Sequence, residues 1–331
     1  MTRFDIPKLL LLLAAAVIVV ALAPFAGMQI ISPARLFDGG LQSNIFWTLR
    51  VPRVITAFIA GAGLALCGMT FQAMFRNVLA DPFTLGISSG ASCGAAATIL
   101  LGCSGAVFGV PYITLGAFAG AAISMMAVYL LSSLQRTSSS LTMLLSGIAI
   151  SFLFSSLLMF MQYLSSLRDS FQIVRWLMGG IEVFGYGRIL TMLPFVGIGI
   201  GILLLNLPQL DHLLVGDDLA HSRGMRVRQT KNLLLLGTTL VVGSIVAMCG
   251  PIGFVGLMTP HICRLAFKTK HTILGPATFL AGGIFLVLCD TVARIVIAPA
   301  EMPVGVITAL LGGPFFLWLL FVKKSGEAAA D

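Results

Sequence analysis

The chain has 331 residues, 58% of them hydrophobic and only 10% charged, whereas a soluble domain carries about 25% charged residues. The mean hydropathy is +1.03, and runs such as LLLLLAAAVIVVALAPFAGMQII repeatedly match the ~20 apolar residues that a spanning helix needs. This excludes a soluble domain and leaves a polytopic membrane protein, in which the formal charge of +8 orients the spans rather than recruiting nucleic acid.

Apolar runs bounded by Gly, Pro and charge predict ten segments, near 9–31, 54–75, 85–103, 109–133, 140–164, 189–207, 231–249, 256–267, 274–297 and 304–322. The first follows Arg3 and Lys8 in signal-peptide style, with Ala21-Leu22-Ala23 as a cleavage-like site, but its length and Pro24 favour a retained helix. At the head of the second, Arg50 and Arg53 flank Pro52. Small residues in 60–68 (AGAGLALCG) and in Gly116-x-x-x-Gly120 predict closely packed helix backbones. Residues 75–91 (FRNVLADPFTLGISSGA) and 249–265 (CGPIGFVGLMTPHICRL) read as discontinuous. They fall early in the second to fifth and seventh to tenth segments, as in two repeats whose broken helices line a path. The eighth helix, Leu257 to Phe267, is too short to span at about 1.5 Å per residue, and Pro260 is expected in its first turn, where a missing N–H costs little.

With a cytoplasmic N-terminus, the inside connections hold Arg3, Lys8, Arg76, Arg136, Arg223, Arg226, Arg228, Lys231, Arg264, Lys268, Lys270, Lys323 and Lys324. The outside connections hold only arginines: Arg35, Arg50, Arg53, Arg168, Arg175, Arg188 and Arg294. The bias places both termini inside. The longest charged inner connection, 206–231, carries Asp217 and Asp218 before LAHSRG, acids first and bases last, the order that suits the dipole of a short helix. A docking helix and an ordinary solvated loop are both compatible with it.

Few residues offer chemistry. Asp290 lies four residues before Arg294, on the same helix face, which predicts a structural ion pair; a proton relay is the alternative. His212, His221, His261 and His271 form no H-E-x-x-H motif, no G-x-S-x-G occurs, and no catalytic residue or metal site is expected. Cys67, Cys93, Cys103, Cys249, Cys263 and Cys289 contain no C-x-x-C pair and read as small hydrophobes or free thiols. No Gly-Lys dipeptide is present for a P-loop, so ATP-driven movement would need an engine on another polypeptide. On the outer face, Arg50, Arg53 and Arg294 could meet carboxylates in bidentate fashion or anchor the interface by snorkelling.

In the blocks 49–91, 176–180 (WLMGG), 216–225 (GDDLAHSRGM), 249–265, 290–294 (DTVAR) and 301–320 (EMPVGVITALLGGPFFLWLL) the chain resembles the FecCD-type permeases of bacterial ABC importers for iron–siderophore complexes, haem and cobalamin. The blocks follow family order and span most of the chain. The resemblance implies an all-α polytopic fold of about ten transmembrane helices, a type II importer bundle with broken helices, as one domain over 1–331. It implies a second permease subunit, as a homodimer, two cytoplasmic ATPases that bind ATP and Mg, an extracytoplasmic substrate-binding protein, the bacterial inner membrane as location, and no cofactor on this chain.

Carried over by motif, Arg50, Arg53 and Arg294 match outer positions facing the binding protein. The coupling region, 211–228, matches through Asp217, Asp218, Ala220, Arg223 and Gly224, and the cytoplasmic gate through Asn77, Leu79, Ser138, Ser139 and Ser140. Two departures stand out: Val78 replaces the proline of the family's Asn-Pro-Leu-Ala, predicting a less rigid gate turn, and Arg223-Gly224 stands where Leu-Gly is common. The resulting expectation is a permease for a metal chelate, iron–siderophore or haem before cobalamin, passing a weakly binding apolar and hydroxyl-lined path. An ion-coupled secondary transporter using Asp290 is the alternative, and an intramembrane enzyme acting through His261 or Cys263 a third.

Overall fold

In the computed structural model, which describes residues 5–27, 31–33, 36–107, 109–134, 140–267, 270–297 and 300–328, all ten predicted segments are helical. In chain order the helices are α1 (Asp5–Leu22), α2 (Leu41–Ile45), α3 (Val51–Phe75), α4 (Ile87–Leu100), α5 (Tyr112–Leu134), α6 (Ser140–Leu164), α7 (Leu167–Leu177), α8 (Gly187–Leu205), α9 (Leu207–Val215), α10 (Asp217–Ser222), α11 (Val227–Cys249), α12 (Val255–Phe267), α13 (His271–Ile295) and α14 (Val304–Ala328). A two-residue antiparallel ladder, β1 (Ala106–Val107) on β2 (Val110–Pro111), closes the α4–α5 connection. Among the described residues seven stretches are long and apolar enough to cross a membrane, and α4 and α14 supply shorter apolar helices.

Helix α3 is the axis of the bundle. Its residues from Ala60 to Phe75 are all buried, and it packs on α13, α12 and α11. Water-free association of helices rests on close backbone approach, which the small residues supply. A Cβ at Gly68 would lie 1.9 Å from the Gly256 carbonyl oxygen of α12, and one at Gly94 would lie 2.1 Å from that of Gly116, so the predicted Gly116-x-x-x-Gly120 pair seats α5 on α4.

Several boundaries differ from the sequence expectation. The first helix ends at Leu22, followed by a 3-10 turn over Ala23–Phe25 that contains Pro24. Upstream of the second segment, α2 and a π-helical turn over Phe46–Arg50 run into α3, giving one apolar stretch from Leu41 to Phe75. Pro52 has no N–H for the carbonyl of Thr48; that oxygen instead accepts from the Gly185 amide at 2.8 Å. Helix α12 begins at Val255, so Pro260 lies inside it rather than in its first turn. The Gly256 carbonyl that Pro260 cannot serve receives the Gln72 side-chain amide of α3 at 3.5 Å, which also reaches Leu257 O at 3.3 Å. Helix α7, between the fifth and sixth segments, was not predicted; Ser166 caps it by accepting from the Asp169 amide.

Candidate functional site

One end of the bundle gathers arginines. The π-turn aims Arg50 toward the first helix, where Nη1 donates to the carbonyls of Pro24 at 3.1 Å and Phe25 at 3.2 Å. Gly27 leaves room for it, since a Cβ there would fall 2.9 Å from Arg50 Nη2. One turn further on, Arg53 Nε donates to both carboxylate oxygens of Asp290, at 3.0 and 3.1 Å, while its Nη1 donates to Glu301. Arg294 Nε lies 3.2 Å from Asp290 Oδ2 at i,i+4 spacing, and its Nη atoms donate to Ala26 O and Ala23 O.

Asp290 is therefore a buried carboxylate gripped by two guanidiniums from different helices, an arrangement that compensates its desolvation. The structure brings Arg50, Arg53 and Arg294 together, but it does not present them equally. The Arg294 side chain is 5% exposed and Arg53 16%, whereas Arg175 of α7 is 65% exposed. The expectation that all three face outward is thus corrected for Arg294, which Asp290 and the carbonyls after α1 draw inward. Arg175 pairs with Glu182, and Arg188 donates to the Glu182 carbonyl. Two adjoining cavities, of about 590 and 700 Å³, open at this end and share Arg53, Arg175, Arg188, Glu182 and Glu301 as lining.

At the opposite end, α9 and α10 form the connection predicted to dock a motor. Gly216 separates them at φ 122°, ψ 154°, a conformation open to glycine alone. Gly224 ends α10 at φ 81°, its amide donating to His221 O while that of Met225 donates to Ala220 O, a left-handed glycine stop. The acids-first order of the sequence therefore marks a real helix. Its two faces differ: Asp218, Arg223 and Gly224 are exposed, whereas Ala220 is 1% exposed. Asp217 turns back to Lys231 of α11, Nζ to Oδ2 at 2.6 Å. On α9, Asp211 accepts from the backbone amide of His271 and meets its Nδ1 at 2.6 Å, holding the start of α13.

The 76–86 connection lies at the same end, with Arg76 Nη1 3.4 Å from where a Cβ at Gly216 would stand. Arg76 ends α3 in the left-handed region, at φ 51°. Asn77 Oδ1 accepts from the Leu79 amide at 2.9 Å and Asn77 O from the Ala80 amide at 3.1 Å, leaving Val78 and Leu79 exposed at the tip. Ser140 opens α6; Ser138 and Ser139 lie outside the described residues. Asp81 caps the following 3-10 turn through the Phe83 amide and is only 4% exposed; burial pushes its carboxyl up to about 7. Arg264 donates to Gln72 Oε1 at 2.6 Å, folding onto α3, and His261 packs edge-on against Phe315. No group of three or more His, Cys, Asp or Glu that could hold a metal occurs among the described residues.

Sequence reasoning missed Glu301, Glu182, Arg175, Lys231 and Asp211 as members of these clusters. Only Asp290 and Arg294 carry a spacing signal; the rest meet through the fold.

The sequence model of the FecCD transport family matches residues 9–322. The chain is 38% identical over 290 residues to the uncharacterized ABC transporter permease protein YvrB of Bacillus subtilis, covering 87% of this chain and 82% of the relative. It is 38% identical over 296 residues to the vitamin B12 import system permease protein BtuC of Salmonella typhi, covering 89% of each. Among solved structures, an inward-facing metal-chelate type ABC transporter superposes with a TM-score of 0.86 at 30% identity, covering 95% of this chain and 99% of that one.

Proposed function

Because the chain belongs to the FecCD transport family and is the permease of a binding-protein-dependent ABC importer whose ATPase is a separate subunit, we propose that it moves a bulky metal chelate inward across the bacterial inner membrane. Both termini are cytoplasmic, and the path forms between two copies of the chain. The positive-inside bias supports that orientation. Iron–siderophore complexes and haem fit this substrate class, and the similarity to a permease named for vitamin B12 brings cobalamin level with them. Chemical energy comes from ATP and Mg on the partner, and this chain uses no cofactor.

The observation that carries the reading is the separation of two ion-paired clusters at opposite ends of the same helices. The arginine cluster around Asp290 sits at the outer end of α3 and α13, and the α9–α10 connection is tied to α11 and to the inner end of α13. In this proposal Arg53, supported from beneath by Arg294 and flanked by Arg50, Arg175 and Arg188, meets carboxylates of the binding protein. Asp218, Arg223 and Gly224 meet the ATPase, while Asp217 and Ala220 fix α10 to the bundle. Asn77, Leu79 and Ser138 to Ser140 border the cytoplasmic gate. A proton relay through Asp290 is disfavoured because that carboxylate is spent on two guanidiniums.

Vesicles containing the permease, its ATPase and the binding protein encoded with it separate the readings. Uptake of radiolabelled cyanocobalamin, ferric siderophore or haem should require ATP inside the motor compartment. Uptake driven by an imposed proton gradient without ATP would instead favour the secondary transporter.

A further inference from the structure

The outer arginine cluster already contains a carboxylate where a partner's acid would bind. Arg53 offers a planar fork of donors, and its Nε edge is committed to Asp290 inside the bundle. The Nη edge is the side left to meet anything from outside, and Glu301 Oε2 accepts from Nη1 there. Glu301 is 57% exposed, so its side chain can leave for water at small cost, whereas Asp290 at 1% cannot. Its backbone is held in place, because the neighbouring Met302 amide donates to Ala293 O at the end of α13. A second exposed carboxylate pairs with an arginine beside it, Glu182 with Arg175. Among the described residues, the cavity at this end is lined by five arginines (Arg50, Arg53, Arg175, Arg188 and Arg294) and by Glu182 and Glu301, with Asp290 behind Arg53, a local excess that suits an acidic partner.

We propose that Glu301 is a built-in, displaceable carboxylate ligand of Arg53, which an acidic side chain of the binding protein must replace on docking. The inference rests on the docking role proposed above. Its consequence is reversibility: each docking event exchanges one Arg–carboxylate pair for another, so the new pair adds little net affinity and the emptied binding protein can leave. The partner is recognised by an exposed Asp or Glu on its contacting lobe.

Two measurements on Glu301→Gln test this. Phenylglyoxal modifies exposed guanidiniums, and peptide mass spectrometry with Arg53→Lys as the assignment control isolates the Arg53 signal. In the permease without binding protein, Arg53 should label faster in Glu301→Gln than in wild type. Docking of the binding protein encoded with the permease, measured at low salt, should tighten about two- to fivefold, the range of an exposed to half-exposed ion pair. Equal labelling, or docking that is unchanged or weakened, overturns the proposal. Arg53→Lys keeps the charge against Asp290 but loses the fork. In the Glu301→Gln background, where no exchange offsets the new pair, adding Arg53→Lys should weaken docking; if docking stays unchanged there, the docking role of Arg53 itself falls, and if it weakens there while Glu301→Gln alone fails to tighten docking, only the displaceable-ligand inference falls.

Discussion

Asp290 shows how much one buried carboxylate governs. It holds Arg53 from α3 and Arg294 from its own helix, and breaking a buried pair by removing one partner costs about 3–5 kcal/mol because the other charges stay desolvated. Asp290→Asn should therefore lower the thermal stability of the detergent-solubilised protein by about 3 kcal/mol, seen as a lower Tm and a lower membrane yield. For the same reason a charge reversal at Arg53 would set a new carboxylate against both Asp290 and Glu301 and confound docking with unfolding; Arg175, at 65% exposed, is the safer site for one. Asp81 gives a pH-dependent counterpart. Its carboxyl is pushed up to about 7 in the folded protein against about 3.9 in an unfolded chain, so the native state binds more protons across that interval. Stability is then lost as pH rises from about 4 to 7. Asp81→Asn should flatten this slope, and the Tm difference between pH 5 and pH 8 should shrink relative to wild type. The sequence showed the Asp290–Arg294 spacing but could not show Arg53 arriving from 237 residues away, since no local period encodes that contact.

At the scale of elements, legibility followed the type of signal. Long apolar runs gave all ten main helices, and the Gly-Pro interruptions located the broken stretches around 76–86 and 250–254, because a spanning segment cannot hide its backbone breaks. Helix α7 was invisible to the same reasoning: Leu167–Leu177 carries Arg168, Asp169 and Arg175 and lacks the continuous apolarity being sought. The start of α12 was placed two residues late for a different reason. Pro260 looks like a first-turn residue, yet the Gln72 side chain takes over its missing hydrogen bond from across the interface, and no sequence rule anticipates a donor on another helix. The 76–86 turn carries a clear expectation. Val78 is the first central residue of a turn closed from Asn77 O to the Ala80 amide, a position where Pro is favoured. Asn77 Oδ1 also accepts from the Leu79 amide, so the Asn side chain holds the turn whichever residue stands at position 78. Val78→Pro should be neutral or stabilising by about 0.5 kcal/mol. Asn77→Ala should cost about 1 kcal/mol, and paired melting curves distinguish the two.

For the whole molecule, the decisive feature is that the α9–α10 connection is fastened at two points to two different spans. Asp211 holds the start of α13 through His271, and Asp217 holds α11 through Lys231. A force applied at the exposed side of α10 therefore reaches α11 through a charge pair whose lysine is only 6% exposed, and reaches α13 through the other. α13 runs on, past Pro276, to Asp290 and Arg294, so the two ends of the bundle share one continuous helix. Loosening one fastening should separate ATP hydrolysis from movement of cargo. Lys231→Met preserves the apolar stem that packs in the bundle and leaves Asp217, 29% exposed, able to regain water, so the fold should persist. In vesicles with the partner ATPase and binding protein, hydrolysis should continue while chelate transported per ATP falls several-fold. Asp217→Asn should reproduce the same uncoupling, because it removes the same pair from the other side. A loss seen with Lys231→Met alone would assign the effect to other contacts of the lysine, and an unchanged transport-to-hydrolysis ratio in both variants would remove this pair from the path between motor and bundle.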